Sequence, residues 1–178
     1  TKKHIYRLLY VWVLNSYKKK FFDQPKIYIK LTGTGSSFRP EFANFDLYQH
    51  PENILNRLQI IYAIWRRQLT FLNNSEYVAY NLKLVTQLDK KYFSIEPDID
   101  NLKPLLINSE ITYSLKFSDT FERRVREAQS DYPAPFQITD LKLTLEYTNV
   151  KGTKFYTTFD NSLDEQNKNK FAKKVNGS

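Results

Sequence analysis

The sequence predicts a mainly β fold: an antiparallel β-sandwich or a partly closed barrel, with one accessory helix. Three observations carry that expectation. Several segments alternate apolar and polar side chains, the period of an extended chain with one buried face. Aromatic residues make up 16% of the 178 residues, with 13 Tyr and 13 Phe, and such side chains suit a pleated surface. No β–α–β rhythm separates the alternating segments, which argues against a parallel doubly wound sheet.

The chain divides into an N-terminal segment (1–25), a sandwich domain (26–159) and a polar tail (160–178) that is expected to be flexible. Ile5 to Leu14 is apolar apart from Arg7 and is followed by Lys18, Lys19 and Lys20. Spanning a bilayer takes about 20 apolar residues, so this run alone is too short. It reads as a buried helix, as a first strand, or as the end of a membrane-anchoring segment whose lysines mark the cytoplasmic side. The localisation that follows is the cytoplasm or the cytoplasmic face of a membrane.

Lys26 to Thr32 alternates, with Ile27, Ile29 and Leu31 on one face, and the following GTGSS is expected to break the strand as a loop. A helical insert is predicted over 51–65. Pro51 and Glu52 suit a first helical turn, and Ile54, Leu58, Ile61 and Trp65 recur at helical spacing. Residues 69–72 and 77–88 read as a hairpin around NNSE, because Asn73 and Asn74 tolerate the positive φ of a tight turn. The stretch 90–110, with two prolines, reads as a loop. Ile111, Tyr113, Leu115 and Phe117 then share an inward face, and residues 120–129 form a short helix or exposed loop. A second hairpin closes the domain: Leu141, Leu143, Leu145 and Tyr147 on one face, the turn NVKG, and a return over 155–159.

FLNNSEYVAYNLKL, with its triplet Ala79, Tyr80, Asn81, LKPLLINSEITYSL, and LTLEYTNVKGTKFYTTF with Gly152 in its turn together carry a resemblance. Residues 67–159 look like an immunoglobulin-like sandwich domain of the type found next to membrane segments in bacterial proteins. The resemblance covers about half the chain and implies a fold, not an activity. NNSE departs from the pattern by lacking a glycine, and an insert at 51–65 is atypical.

Chemistry is sparse. With no cysteine there is no disulfide, thiolate nucleophile or cysteine metal site. His4 and His50 lack metal-binding spacing and no G-x-S-x-G context accompanies them. Glu96, Asp98 and Asp100 alternate in an acidic loop but lack the glycine and terminal glutamate of an EF-hand. Asp140 and Glu146 flank Lys142 on one strand face, too far apart for one metal. No cofactor and no catalytic centre are expected.

The cationic groups are more informative. Net charge is +8. Arg66 and Arg67 follow the predicted helix, and Arg123, Arg124 and Arg126 cluster further on; guanidinium forks suit phosphate and carboxylate. Were both groups to meet at one end of the sandwich, they would form an anion pocket. The plainer reading is an exposed turn in which Glu122 and Glu127 offset the arginines. The expectation is therefore a non-catalytic recognition module, the ligand-sensing part of a membrane-anchored bacterial protein. Its ligand would be an anionic small molecule such as a nucleotide signal, or a protein partner. The alternative is a structural or assembly protein such as a viral coat subunit. Nucleic acid is a weaker expectation, since the end lysines, including Lys168, Lys170, Lys173 and Lys174, suit a solvated surface.

Overall fold

Three long strands dominate the computed structural model, which describes residues 24–42, 58–97, 103–127 and 132–173 together with Tyr6, Tyr10 and Ile99. They are β1 (Ile27–Phe42), β2 (Leu58–Asn73) and β5 (Glu110–Arg124), and with the short β4 (Phe93–Glu96) they form an antiparallel sheet in the order β1-β2-β5-β4. A second antiparallel sheet has the order β3-β6-β7-β8, from Tyr80–Leu84, Lys142–Thr148, Lys154–Asp160 and Asn169–Lys173. The two sheets pack face to face as a β-sandwich, and among the described residues neither closes into a barrel. The accessory helix is a single turn, Phe136–Thr139.

Alternation places the core as expected. Ile27 and Ile29 of β1, Leu69 and Phe71 of β2, and Tyr113 and Leu115 of β5 bury one face of the first sheet. Leu143, Leu145 and Tyr147 of β6 meet them from the second, with Phe155 and Phe159 of β7. The three long strands of the first sheet run 15 or 16 residues and the strands of the second 5 or 7, so the first overhangs the second. A separate apolar cluster fills the space beneath the overhang: Ile61, Ala63, Trp65 and Phe117 under Tyr132 and Ile138, with none of its members from the second sheet. Trp65 Nε1 donates to the Tyr132 carbonyl at 3.3 Å, fixing that cover.

Six expectations are corrected. The stretch 90–110 is not all loop, because Phe93–Glu96 pairs with β5, and β5 itself runs through Arg124 into residues expected as a short helix or exposed loop. Residues 58–65 are strand, not helix, and 51–57 lie outside the described residues. Ile61 and Trp65, four apart, share a face in either geometry, so their spacing alone does not discriminate. Pairing on both sides, with β1 and with β5, decides for the strand. GTGSS does not end β1; the strand passes through it with a bulge between Gly33 and Gly35, which takes φ +137°. The tail is not frayed over 169–173, because β8 pairs with β7 from Phe159↔Asn169 to Phe155↔Lys173.

The predicted NNSE hairpin does not form either. β2 and β3 lie in different sheets, and the segment between them is an arch. Asn73, fully buried, holds it: Nδ2 donates to the carbonyls of Tyr77 (2.7 Å) and Leu105 (3.0 Å), while Oδ1 accepts from the Ser75 hydroxyl (2.7 Å) and the Ser75 N–H (3.2 Å). The positive φ expected near Asn73 occurs instead at Asn81, +50°, where β3 slips register against β6. The second hairpin forms as predicted, from Lys142↔Asp160 to Thr148↔Lys154. Asn149 Oδ1 accepts from the N–H groups of Lys151 and Thr153, and Gly152 takes φ +74°.

The two sheets are also joined by polar side chains along the β1 edge. Asn169 accepts from the Ile29 N–H at 2.8 Å and donates to the Ile29 carbonyl at 3.0 Å, standing in for a neighbouring strand. Thr157 donates to the Ile27 carbonyl (2.8 Å) and therefore accepts from the Tyr147 hydroxyl (3.1 Å). Burial pushes the Tyr147 phenol above its ordinary value of 10.0. A phenol whose native value is raised stabilises the fold fully below the unfolded value and progressively less as the pH rises through the native one. Urea titrations from about pH 9 to 11 should thus show the native chain losing stability more steeply than Tyr147→Phe, which at neutral pH costs only about 1 kcal/mol.

Candidate functional site

Arg66 and Arg67 sit mid-way along β2 on opposite faces of the sheet, because successive residues of a strand alternate. Arg66 points outward and donates to Ser37 Oγ at 3.1 Å. Arg67 falls in the inward row with Trp65 and Leu69, but its guanidinium lies beside Gly33 at the β1 bulge and donates to the Arg66 carbonyl at 2.9 Å. The bulge thus gives a cation on the core side a route to polar partners.

Arg123 and Arg124 end β5, and Arg126 lies in the 3-10 turn Val125–Glu127 that follows. All three are exposed. The Arg123 guanidinium lies 5.6 Å from the centre of the Phe121 ring, two residues back on the same face. The Arg124 N–H donates to Glu127 Oε2 at 3.4 Å, which turns the chain out of the strand. Among the described residues no carboxylate pairs with any of these three guanidinium groups.

The two arginine groups do not meet. Arg66 lies opposite Lys116, and Lys116 to Arg123 is seven residues, about 24 Å along an extended strand. The anion pocket expected from their convergence is therefore not formed, and the antiparallel register is the reason. Arg66 belongs instead to an outward charged row: Lys116, directly opposite it on β5, donates to both oxygens of Glu96, at 3.0 and 3.1 Å.

No family model, curated protein or solved structure matches this chain.

One residue of the corner the sequence did not reveal. Gln59 lies opposite Arg123 in the β2–β5 register, is 2% exposed, and its Nε2 has no hydrogen-bond partner among the described residues. Directly opposed residues have their Cβ atoms about 5 Å apart. The corner at the far end of β5 thus sets the exposed Arg123 guanidinium against a buried amide with no acceptor among the described residues, while Arg124 lies on the other face of the sheet. Gln59 was hidden by the helical reading of 51–65; the alternation Gln59, Ile61, Ala63, Trp65 was the available signal.

Other groups singled out in the sequence are satisfied internally. Glu96 is held by Lys116, while Asp98, Asp100, His4 and His50 lie outside the described residues, among which no three metal-ligating side chains cluster. Lys142 pairs with Asp160 at 3.0 Å, and Glu146 accepts from Lys154 (2.9 Å) and from the Tyr156 hydroxyl (2.7 Å). Asp140 accepts from Thr139 Oγ1 at the end of the helical turn. These ladders tie neighbouring strands. A cleft of about 210 Å³ beside β6 and β7 is lined by Lys142 and Lys168, but Asp160 and Glu165 already pair with them.

Proposed function

We propose that this chain is a non-catalytic recognition module of immunoglobulin-like build, which senses an anionic small molecule such as a nucleotide at the corner formed by Arg123, Arg124 and Arg126. Strand order supports the build. The order β1-β2-β5-β4 against β3-β6-β7 follows the A-B-E-D and C-F-G arrangement of immunoglobulin domains, with β8 added beyond the last strand. The cysteine pair and the tryptophan of the third strand are absent; Leu82 is the buried side chain of β3.

The single observation that carries the ligand reading is the Arg123 guanidinium, with no carboxylate partner among the described residues, opposite the buried Gln59 amide, whose Nε2 has no acceptor among them. Guanidinium forks favour phosphate oxygens, the Phe121 ring under Arg123 offers a stacking surface, and an anion's oxygen would satisfy Gln59. Arg66 and Arg67 are outside this site by distance.

A thermal-shift screen against cyclic and linear nucleotides tests the reading. A specific ligand at a hundredfold excess over its Kd raises stability by about 2.7 kcal/mol, which in this size range moves the Tm by several degrees. The shift should vanish in Arg123→Gln/Arg124→Gln and survive in Arg66→Gln. No shift with any nucleotide at millimolar concentration retires the proposal.

A further inference from the structure

The first half of β2 is apolar on both faces. Its inward residues Ile61, Ala63 and Trp65 lie under Tyr132 and Ile138, and its outward ones are Leu58, Ile60, Tyr62 and Ile64. From Arg66 onward the outward row turns polar, through Gln68 and Thr70. A near-continuous apolar run is the pattern of a strand covered on both sides. Here the outward side is open: Leu58 is 55% exposed and Tyr62 42%. The second sheet packs on the inward face, so none of its strands lies over the outer one. Four outward apolar side chains in one row are unlike the scattered single ones of an ordinary surface.

The charges beside this row select what covers it. The register places Glu41 and Glu122 on either side of Ile60, and Lys116 beside Arg66. Directly opposed residues share a face, so all of these point outward. An acidic rank thus crosses the sheet at Ile60 and a basic rank at Arg66, six residues or about 20 Å away, with Tyr62 and Ile64 between them. The midpoint of both ranks is a single register pair: Ala63 is three residues from Ile60 and from Arg66, and Asp119 is three from Glu122 and from Lys116. A twofold axis crossing the strands at that pair, in the plane of contact, reverses the strand direction. It lays the acidic rank of one copy on the basic rank of the other, twice, and Tyr62 on Ile64, twice.

We propose that a second copy of this chain docks on this face, sheet against sheet, in a twofold dimer. The surface is self-complementary, as such an interface requires, and face-to-face sheets keep their strands within about 30° of one line. Glu122 has no ion-pair partner among the described residues, and Lys116 spends two of its three N–H groups on Glu96, leaving one for Glu122 of the other copy. An anionic membrane or a nucleic acid would meet the acidic rank with like charge, and a purely apolar surface would desolvate both ranks without partners. Three strands across nine residues cover about 430 Å² of each copy, which suits a weak, reversible dimer rather than an obligate one.

Sedimentation velocity of the full chain, from micromolar to millimolar concentration, tests the proposal. The wild type should pass from monomer to dimer across that range. Glu122→Lys alone and Lys116→Glu alone should each weaken self-association by at least about tenfold, because either change puts two like-charged contacts into the interface. An equimolar mixture of the two variants should associate again, since each copy then offers the charge the other lacks. Arg66→Glu replaces Lys116→Glu in the mixture if loss of the Glu96 pair unfolds that variant, with far-ultraviolet circular dichroism as the check. A monomer at every concentration, as when another part of the chain covers the row, would overturn the inference. So would association that neither change weakens, or a mixture that stays monomeric. The readout is mass rather than nucleotide binding, so failure here leaves the thermal-shift screen unaffected.

Discussion

Asn73→Ala lowers stability by about 3 kcal/mol, and with it the Tm by about 6–12 °C, whereas Asn74→Ala one residue later has almost no effect. The difference follows from the arch. Asn73 is fully buried and its amide is the partner of two backbone carbonyls, Tyr77 and Leu105, and of Ser75. Alanine removes all four of these bonds at once from a buried site, although the Tyr77 carbonyl still accepts from Ser75 Oγ and the Leu105 carbonyl from the Ala79 N–H, and each lost bond costs about 1 kcal/mol. Asn73→Asp is worse: it keeps the bonds from Ser75 but turns two donors into a carboxylate facing two carbonyls in a buried site. Asn74 is exposed, and its recorded bond is made by its backbone, which alanine retains. Urea denaturation of the three variants decides the matter. Equal effects at 73 and 74 would mean that the segment is a simple solvent-exposed turn and that the crossing between sheets is held by something else.

Phe117→Ala is expected to cost about 3–5 kcal/mol, the range for removing a buried aromatic ring. Phe117 is 1% exposed and sits where the overhang begins, its ring 4.9 Å from Phe93, 5.8 Å from Trp65 and 5.8 Å from Tyr92. Those neighbours come from β2, from β4 and from the turn before it. Among the described residues the cluster around Phe117 includes no side chain of the second sheet, and its cover is Tyr132 and Ile138. Phe117→Leu, which keeps most of the volume, should lose less than about 1.5 kcal/mol. Near-ultraviolet circular dichroism follows the same event, since Trp65 loses its tilted partner. A cost below 1 kcal/mol for the alanine variant would show that the overhang is loosely packed rather than a second core.

The arginine corner was half legible. Arg123, Arg124 and Arg126 stand out in any reading of the sequence, and the structure exposes them. That Arg66 and Arg67 would lie elsewhere was not readable, because a strand register is a property of two segments and neither segment contains it. Gln59 was missed for a related reason. Its burial depends on which face of β2 turns inward, and that is fixed only once β5 is beside it. The exposed apolar side chains at the opposite end were missed altogether. Leu106 and Ile107 come from the connection before β5 and Val150 from the β6–β7 turn, and an apolar residue in a loop carries no local sign of whether it is buried.

What the sequence determined by itself was the face of each strand. Period-two alternation fixed the inward rows Ile111–Phe117 and Leu141–Tyr147, and the NVKG turn fixed the one hairpin whose partners are adjacent in the chain. A short connection with a glycine at positive φ is local information, and local information is what a sequence carries. Partner choice beyond adjacent strands was decided by tertiary structure. β2 passes over NNSE into an arch rather than a hairpin because pairing with β1 and β5 satisfies its backbone on both edges, and Asn73 replaces the hydrogen bonds a turn would have made. The same two-sided pairing turned residues 58–65 from an apparent helix into strand. An i, i+4 apolar spacing fits both geometries, and only the neighbours that complete its hydrogen bonds select one of them.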